Sequence, residues 1–191
     1  MPRESVETGI ILAAGLSQRF GVENKLLADW KGRPLATYAI DAAANSGLRH
    51  IILVTGRDGD AIAALATASK FARVHNPEFQ KGLSSSLQAG LAAASAGPVM
   101  VLLADMPMIS SALIDELLGA WRTETYALIP DYNGQTGNPV ILSAAARIDA
   151  VTLSGDRGAR KLFDGRHDVI RKPVTDAGVL RDFDAKGDFN R

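Results

Sequence analysis

The chain has 191 residues, of which 21 are basic and 21 acidic, so its formal net charge is zero. Without excess positive charge it lacks the attraction that binds nucleic acids or anionic membranes, and we expect neither partner. The absence of cysteine excludes disulfides, thiolate zinc sites, iron–sulfur clusters and cysteine nucleophiles. A composition of 47% hydrophobic and 22% charged residues indicates a globular protein, and the length predicts one domain over residues 1–191.

No apolar run reaches the roughly 18 residues that a membrane-spanning helix needs. The first residues, from Met1 to Glu7, are short and polar and do not have the pattern of a signal peptide. We therefore expect the protein to be cytoplasmic. The cytoplasm is reducing, and a chain without cysteine fits that compartment.

Apolar segments rich in branched residues alternate with alanine-rich segments of helical period, as in βα units around a parallel sheet. Strands are predicted over Gly9–Ala13, His50–Val54, Arg73–His75, Val99–Leu103 and Thr125–Ile129, with a later strand at Val140 and Ile141. Helices are predicted over Pro34–Ser46, Asp58–Ser69, Leu83–Ala94 and Ser110–Trp121. Pro34 would lie in the first turn of the first helix, with Gly47 at its C-cap, and Ser110 or Ser111 would cap the last. This order predicts an α/β fold with a mostly parallel sheet.

The loop after the first strand is rich in small residues: Leu12-Ala13-Ala14-Gly15-Leu16-Ser17-Gln18-Arg19-Phe20-Gly21, followed by Lys25. Ligands of open α/β sheets bind beyond the carboxyl ends of the strands, so this position matters. Small residues let main-chain amides approach a phosphate, and Arg19 and Lys25 would balance its charge. The loop matches neither G-x-x-x-x-G-K-[ST] nor G-x-G-x-x-G. A phosphate site is one interpretation; an ordinary βα turn with two solvated cations is the other.

A carboxylate follows the fourth strand, in Ala104-Asp105-Met106-Pro107. Such a group is costly to desolvate unless a partner satisfies it, and hydrated Mg²⁺ bound through carboxylates and substrate phosphates would do so. Asp105 is therefore a metal candidate, although an aspartate that only caps the loop backbone explains the same residue.

Together with Lys25-Leu26-Leu27, Leu103-Ala104-Asp105-Met106-Pro107 and Gly137-Asn138-Pro139, the loop resembles the nucleotidyltransferases that activate the molybdenum cofactor. The resemblance runs from Gly9 to about Asp184 and is closest to the cytidylyltransferase branch. It implies a Rossmann-like three-layer sandwich and a Mg²⁺-dependent enzyme that transfers CMP from CTP to the terminal phosphate of molybdopterin, releasing pyrophosphate. GTP is the alternative nucleotide, and a recipient molybdoenzyme is a further implied partner.

The resemblance also implies roles for individual residues. Lys25, Arg19 and Asp105 would be catalytic, with Mg²⁺ on Asp105 and Asp184. Nucleotide binding would involve Ala13, Ala14, Gly15, Ser17, Arg19, Lys25, Asn76, Gly82, Ser84, Ser85, Ser86 and Gly90. The segment from Asn76 to Gly90 looks like the part that recognises the base, although Ser84, Ser85 and Ser86 equally fit a helix N-cap. The acceptor would lie near Gly137, Asn138, Asp156 and Arg160, the last two within Gly155-Asp156-Arg157-Gly158-Ala159-Arg160.

The C-terminal part departs from the family pattern D-I-D-T-P-E-D, because this chain has Asp182-Phe183-Asp184-Ala185-Lys186-Gly187-Asp188. The D-x-D core survives, so Asp184 remains the second metal candidate, with Asp182 as its alternative. Loss of the Thr-Pro turn would leave Asp184 less firmly held and the tail beyond Lys186 loosely ordered.

Ala13-Ala14 before Gly15 resembles the cytidylyl type, whereas guanylyl relatives tend to carry glycine there, which leaves more room for a purine. We therefore expect CTP rather than GTP. Two other functions stay open. One is nucleotidyl transfer to another small phosphate such as a sugar phosphate, and the other is a non-catalytic module that binds the cofactor.

Overall fold

The computed structural model describes residues 5–17, 20–156 and 158–190, without the side chains of Arg160 and Asn190. The strands are β1 (Thr8–Ala13), β2 (Asp29–Trp30), β3 (Arg33–Pro34), β4 (His50–Thr55), β5 (Phe71–His75), β6 (Val99–Leu103), β7 (Ala127–Tyr132), β8 (Gln135–Thr136), β9 (Val140–Leu142) and β10 (Val169–Pro173). The α-helices are α1 (Ala36–Ala44), α2 (Gly59–Ala63), α3 (Leu83–Ala93), α4 (Ser111–Ala120) and α5 (Ala144–Ala150). Short 3₁₀ helices cover Lys25–Leu27, Phe79–Lys81, Ala159–Phe163, Ala177–Leu180 and Lys186–Asn190.

The central sheet has the strand order β10-β7-β9-β6-β1-β4-β5, with β8 paired to β7. On the long path only β9 runs antiparallel to its neighbours, which confirms the prediction of a mostly parallel sheet. From β1 the chain moves outward through β4 and β5 and then returns to β6 on the other side of β1. The carboxyl ends of β1 and β6 therefore flank the point where the strand order reverses, and a ligand site is expected there.

Two apolar clusters cover the two faces of the sheet. Alternate residues of β1 belong to different clusters, because successive side chains of a strand point to opposite faces. Ile11 and Ala13 pack with residues of α1, α2 and α4, whereas Ile10 and Leu12 pack with residues of α3 and α5. All six residues of β1 are buried. The result is the three-layer α/β sandwich that the resemblance implied.

Two predicted helices are shorter than expected. Pro34 is not in the first turn of α1, because Arg33–Pro34 pairs with Asp29–Trp30 in a two-stranded hairpin. The turn of that hairpin has two residues with positive φ, Lys31 and Gly32, as a type I′ connection requires. Helix α1 consequently begins at Ala36 and its C-cap is Asn45 rather than Gly47.

The helix predicted over Asp58–Ser69 is confined to Gly59–Ala63. Only Ile62 is buried within it, so packing stabilises little more than one helical turn. Asp58 has a left-handed backbone with a φ of 57°, so it is the N-cap of the helix and not its first helical residue.

Five strands and helices were missed by the sequence analysis: the hairpin strands β2 and β3, the helix α5, the short β8 and the edge strand β10. The predicted Val99–Leu103 strand is confirmed residue for residue, and Ser110 caps α4 by accepting a hydrogen bond from the Leu113 amide at 3.2 Å. Within the described ranges, no helix combines the length and the apolarity that crossing a bilayer demands.

Candidate active site

A cleft of about 510 Å³ opens at the carboxyl edge of β1 and β6. It brings together nine of the residues that the sequence analysis singled out: Ala14, Gly15, Ser17, Lys25, Gly82, Ser86, Asp105, Asp156 and Asp184. Asp182, the alternative metal ligand, also lines it. Sequence reasoning missed Phe79, Gln80 and Lys81, which form a 3₁₀ turn on one wall, because their role depends on where that turn lies in the fold.

At the centre of the cleft one ammonium group joins two carboxylates. Lys25 Nζ lies 2.7 Å from Asp105 Oδ2 and 2.7 Å from Asp184 Oδ1. The side chain of Lys25 is only 9% exposed, compared with 19% for Asp105 and 42% for Asp184. Three distant parts of the chain thus meet at one point: the loop after the first strand, the loop after the fourth predicted strand, and the C-terminal D-x-D.

The environment shifts the pKa values of this group. Burial alone would lower the pKa of the Lys25 ammonium, but the charges and hydrogen bonds of Asp105 and Asp184 outweigh it and raise that pKa. Burial raises the pKa of the Asp105 carboxyl, Lys25 opposes that change, and the negative charges of Asp182 and Asp184 add to it. At Asp105 the effect of burial thus outweighs the attraction of the Lys25 ammonium.

The backbone of Lys25 is fixed by the loop after β1. The Lys25 amide donates to Ser17 Oγ at 3.2 Å, and Ser17 Oγ donates to Asn24 Oδ1 at 3.3 Å. Asn24 Oδ1 also accepts from the Leu26 amide at 3.1 Å, which caps the 3₁₀ turn that carries Lys25. Ser17 is only 8% exposed, so in this structure its hydroxyl holds the lysine in place.

The loop also exposes main chain to the cleft. Gly15 is exposed, and a Cβ added there would meet nothing within 4 Å, so packing does not require glycine. Ala14 lines the cleft and is 4% exposed, while Ala13 is buried within β1. The predicted charge of Arg19 lies outside the described residues.

The predicted base-recognition residues form a connected polar group, only part of which reaches the cleft. Asn76 is buried, and its Nδ2 donates to Ser85 Oγ at 3.0 Å and Ser86 Oγ at 3.1 Å. Ser86 lines the cleft, whereas Asn76, Ser84 and Ser85 do not. Gly90 also lies away from it, packed so closely on β1 that a Cβ would be 2.5 Å from Ile10 Cγ2.

The acceptor residues fall into two places. Gly82, with a φ of 98°, packs against the backbone of Gly155, and a Cβ there would lie 2.6 Å from Asp156 Oδ1. Asp156 and Gly82 therefore lie side by side in the lining of the cleft. Gly137 and Asn138 lie outside the lining, beside the 3₁₀ helix Ala177–Leu180, where the Asn138 amide donates to the Val179 carbonyl at 2.9 Å. The side chain of Arg160 is not among the described parts of the structure.

The prediction of a loosely ordered tail is wrong for residues 186–190. They form a 3₁₀ helix whose Phe189 packs on Phe20 and Phe183, with ring centroids 5.1 Å and 5.5 Å apart. Without the Thr-Pro turn, Asp184 is held by hydrogen bonds that Asp188 Oδ2 accepts from the amides of Asp184 and Ala185, together with this aromatic packing.

The donor set fits a divalent cation with oxygen ligands. Among the described lining residues four are acidic, Asp105, Asp156, Asp182 and Asp184, and two are basic, Lys25 and Lys81. An acidic cleft repels a triphosphate unless a cation accompanies it. Mg²⁺ is typically bound through one or two carboxylates plus phosphates and water. In the described part of the chain, no three carboxylate or imidazole groups converge on one metal position, so phosphate and water would complete the shell.

Two named proteins are similar to most of this chain. Molybdenum cofactor cytidylyltransferase of Escherichia coli K12 is 30% identical over 183 residues, covering 94% of this chain and 92% of that protein. A protein named nicotine blue oxidoreductase from Paenarthrobacter nicotinovorans is 32% identical over 161 residues, covering 80% of this chain and 79% of that protein.

The crystal structure of Rv0371c from Mycobacterium tuberculosis H37Rv superimposes with a TM-score of 0.83 at 27% identity, covering all of this chain and 98% of that one. A structure of Rv0371c in complex with manganese has a TM-score of 0.78 at 25% identity, covering 98% and 97% of the two chains. Residues 9–170 match the model of the MobA-like NTP transferase domain, and the chain belongs to that family.

Proposed function

We propose that this chain transfers CMP from CTP to the terminal phosphate of molybdopterin, with release of pyrophosphate and dependence on Mg²⁺. The observation that carries the proposal is the position of Lys25 Nζ, 2.7 Å from both Asp105 and Asp184, in a cleft at the switch point of the sheet. The similarity to a cytidylyltransferase over 94% of the chain supports this choice of reaction within the family.

In the proposed reaction an oxygen of the pterin phosphate attacks the α-phosphorus of CTP in line. The new bond joins that oxygen to the α-phosphorus, and the bond to the bridging oxygen breaks as pyrophosphate leaves. A phosphate nucleophile is already anionic at neutral pH, so it needs little help from a general base. The main obstacle is repulsion between anions, and positioning with electrostatic stabilisation should provide most of the catalysis.

Residues of the cleft would reduce the repulsion between the two anionic substrates. Lys25 is held at a fixed place by Ser17 and by the two carboxylates, so its charge is in position before substrate enters. Exposed main chain at Gly15 gives the phosphates a close approach. Asp105 and Asp184 would hold Mg²⁺, which when bound supplies positive charge at the phosphates.

The base preference is proposed from the loop. Ala14 lies in the wall of the cleft, at a position where guanylyl relatives tend to carry glycine, and this supports a pyrimidine over a larger purine. We propose that the acceptor binds beside Asp156, which lies next to Gly82 in the wall of the cleft. Arg160 follows Asp156 by four residues in the sequence. Gly137 and Asn138 lie outside the cleft lining, so they would contact only the part of the acceptor that extends beyond the cleft.

Pyrophosphate release, measured with CTP, GTP and ATP against molybdopterin and against a sugar phosphate, tests the proposal. We expect release with CTP and molybdopterin, its loss in EDTA, and its loss in Asp105→Asn, with the exposed Asp164→Asn as a matched control. If pyrophosphate is released only with GTP, or only with a sugar phosphate, the proposed substrate is wrong but the proposed type of reaction stands. No release with any pair, together with tight binding of molybdopterin, would favour a non-catalytic module.

One relative carries the name of an oxidoreductase, so the same preparations should be tested for consumption of NADH and NADPH. The first loop lacks the G-x-G-x-x-G pattern of dinucleotide-binding sites, and we expect no reduced-nucleotide consumption.

A further inference from the structure

We infer that Asp188 and Phe189 are positioning residues for the Asp184 carboxylate, an inference that rests on the proposed function. Asp184 lies in an irregular segment between the 3₁₀ helices Ala177–Leu180 and Lys186–Asn190. Asp184 itself belongs to neither a strand nor a helix, so its position depends on the contacts of its neighbours. We name Phe183, Asp188 and Phe189 the C-terminal clamp, because contacts of these three residues fix the segment.

The first part of the clamp is made of hydrogen bonds at the acidic residues themselves. The Phe183 amide donates to the carbonyl oxygen of Asp105 at 2.9 Å. Asp188 Oδ2 accepts from the amide of Asp184 at 3.0 Å and from that of Ala185 at 2.9 Å. Charged acceptors form stronger hydrogen bonds than neutral ones, so Asp188 restrains the backbone on which Asp184 is carried.

The second part is a chain of aromatic contacts. Phe183 is 1% exposed and meets Trp30 edge to face, with 5.2 Å between ring centroids. Phe189 packs on Phe183 at 5.5 Å and on Phe20 at 5.1 Å. Because Phe189 is in contact with both rings, it fastens the last turn to the protein on two sides.

Phe20 connects the clamp to the loop that positions Lys25. Its amide donates to the Ser17 carbonyl at 2.9 Å, and the hydroxyl of the same serine accepts from the Lys25 amide at 3.2 Å. The clamp therefore contacts the supports of both groups that meet in the cleft, Lys25 and Asp184. A packing role alone would not require these bonds to fall on the amides next to the functional carboxylate.

Direct binding of Mn²⁺ to the full-length protein, followed by the EPR signal of the free ion, tests the inference without relying on turnover. The variants are Phe189→Ala and Asp188→Asn, with Phe189→Tyr as the conservative change that keeps the ring. Phe71→Ala removes a half-buried ring of the edge strand β5, and Asp131→Asn removes an aspartate that accepts from the Gly134 amide in the turn between β7 and β8. These two are matched controls, since neither residue lines the cleft.

We expect Phe189→Ala and Asp188→Asn to weaken Mn²⁺ binding about 10- to 100-fold, as removal of groups that orient metal ligands commonly does. Phe189→Tyr and both controls should bind Mn²⁺ like the parent protein, even where their melting temperature falls. Equal occupancy in the parent protein and both clamp variants, including none in any of them, would overturn the inference. Should Phe189→Ala fail to fold, the nearly isosteric Asp188→Asn decides the question alone.

Turnover separates this inference from the proposed function. If the parent protein releases no pyrophosphate with any nucleotide and acceptor, the proposed function fails while the Mn²⁺ comparison still tests the clamp. If the parent protein is active, the clamp variants should need about tenfold more Mn²⁺ for half-maximal rate, and their kcat should fall more than their KM for nucleotide changes. An unchanged metal requirement in active clamp variants would leave only a structural role.

Discussion

Lys25 Nζ and Asp105 Oδ2 lie 2.7 Å apart, although their residues come from opposite sides of the strand-order reversal. This ion pair brings a cation that follows β1 to a carboxylate that follows β6. The pair is mostly shielded from solvent, so removal of either partner should affect both activity and stability.

We predict that Lys25→Ala lowers turnover about 10²- to 10³-fold, the cost of losing one preorganised charge or donor. Lys25→Met, which keeps much of the length without the charge, should be similarly impaired. The fold should remain intact, and initial rates of pyrophosphate release with circular dichroism of the same samples check both points. A near-normal rate in Lys25→Met removes Lys25 from the mechanism.

The same substitutions should expose the charge imbalance of the cleft. Without the ammonium, Asp105 lies beside Asp182 and Asp184 with no opposite charge from Lys25, and the free energy of unfolding should fall by roughly 1–3 kcal/mol in EDTA. Millimolar Mg²⁺ or Mn²⁺ should restore part of that loss. Urea unfolding with and without the metal measures it, and a loss that the metal does not change contradicts the proposed role of the carboxylates.

Ala14→Gly should shift the nucleotide preference toward GTP. Ala14 lies in the wall of the cleft, and one methyl in a substrate pocket commonly changes discrimination by about tenfold or more. The measurement is the ratio of kcat/KM for CTP to that for GTP. Ala146→Gly, a fully buried alanine of α5, is the control for the general effect of losing a methyl group. An unchanged ratio would remove Ala14 from base selection.

The layers of the fold were predictable because β1 and β6 are continuous apolar runs separated by alanine-rich helical segments. Their burial is a local property of the sequence, and the Val99–Leu103 strand was predicted with its correct ends. The hairpin of Asp29–Trp30 with Arg33–Pro34 was not, because a proline near a helical segment is equally compatible with the first turn of a helix.

Within the cleft, Lys25, Asp105 and Asp184 could be named in advance because each follows a recognisable motif. How Asp184 is fastened could not. Phe20, Phe183 and Phe189 are distant in sequence or separated by polar residues, and they form one aromatic cluster only after the sheet is assembled. The spacing of Asp184 and Asp188 offered a signal, since an aspartate can accept hydrogen bonds from nearby amides in a turn.

Arg147→Ala should destabilise the end of α3. The guanidinium donates to four carbonyl groups at the end of that helix and beyond it: Leu91 and Ala94 at 3.1 Å, Ser95 at 2.6 Å and Gly97 at 2.5 Å. We expect a loss of about 1–3 kcal/mol in urea unfolding, because several acceptors lose a charged donor. Lysine should restore little, since one ammonium lacks the planar fork of donors. Arg49→Ala, whose side chain is 72% exposed, should change stability by less than about 0.5 kcal/mol, and an equal effect of both substitutions contradicts the assignment.

The stability contributed by Tyr126 should be lost at high pH. Burial and the hydrogen bond to Asp149 raise the pKa of the Tyr126 hydroxyl from 10.0 to about 12. The hydroxyl donates to Asp149 Oδ2 at 2.6 Å, and the Arg166 guanidinium lies 3.5 Å from the ring centroid. Below pH 10 the hydroxyl is protonated in both folded and unfolded chains, so its contribution is complete; between pH 10 and 12 the unfolded chain ionises first and the contribution declines. The difference in unfolding free energy between the parent protein and Tyr126→Phe should therefore be constant from pH 7 to 9 and shrink above pH 10. A difference that stays constant up to pH 12 would show that the hydroxyl ionises alike in both states.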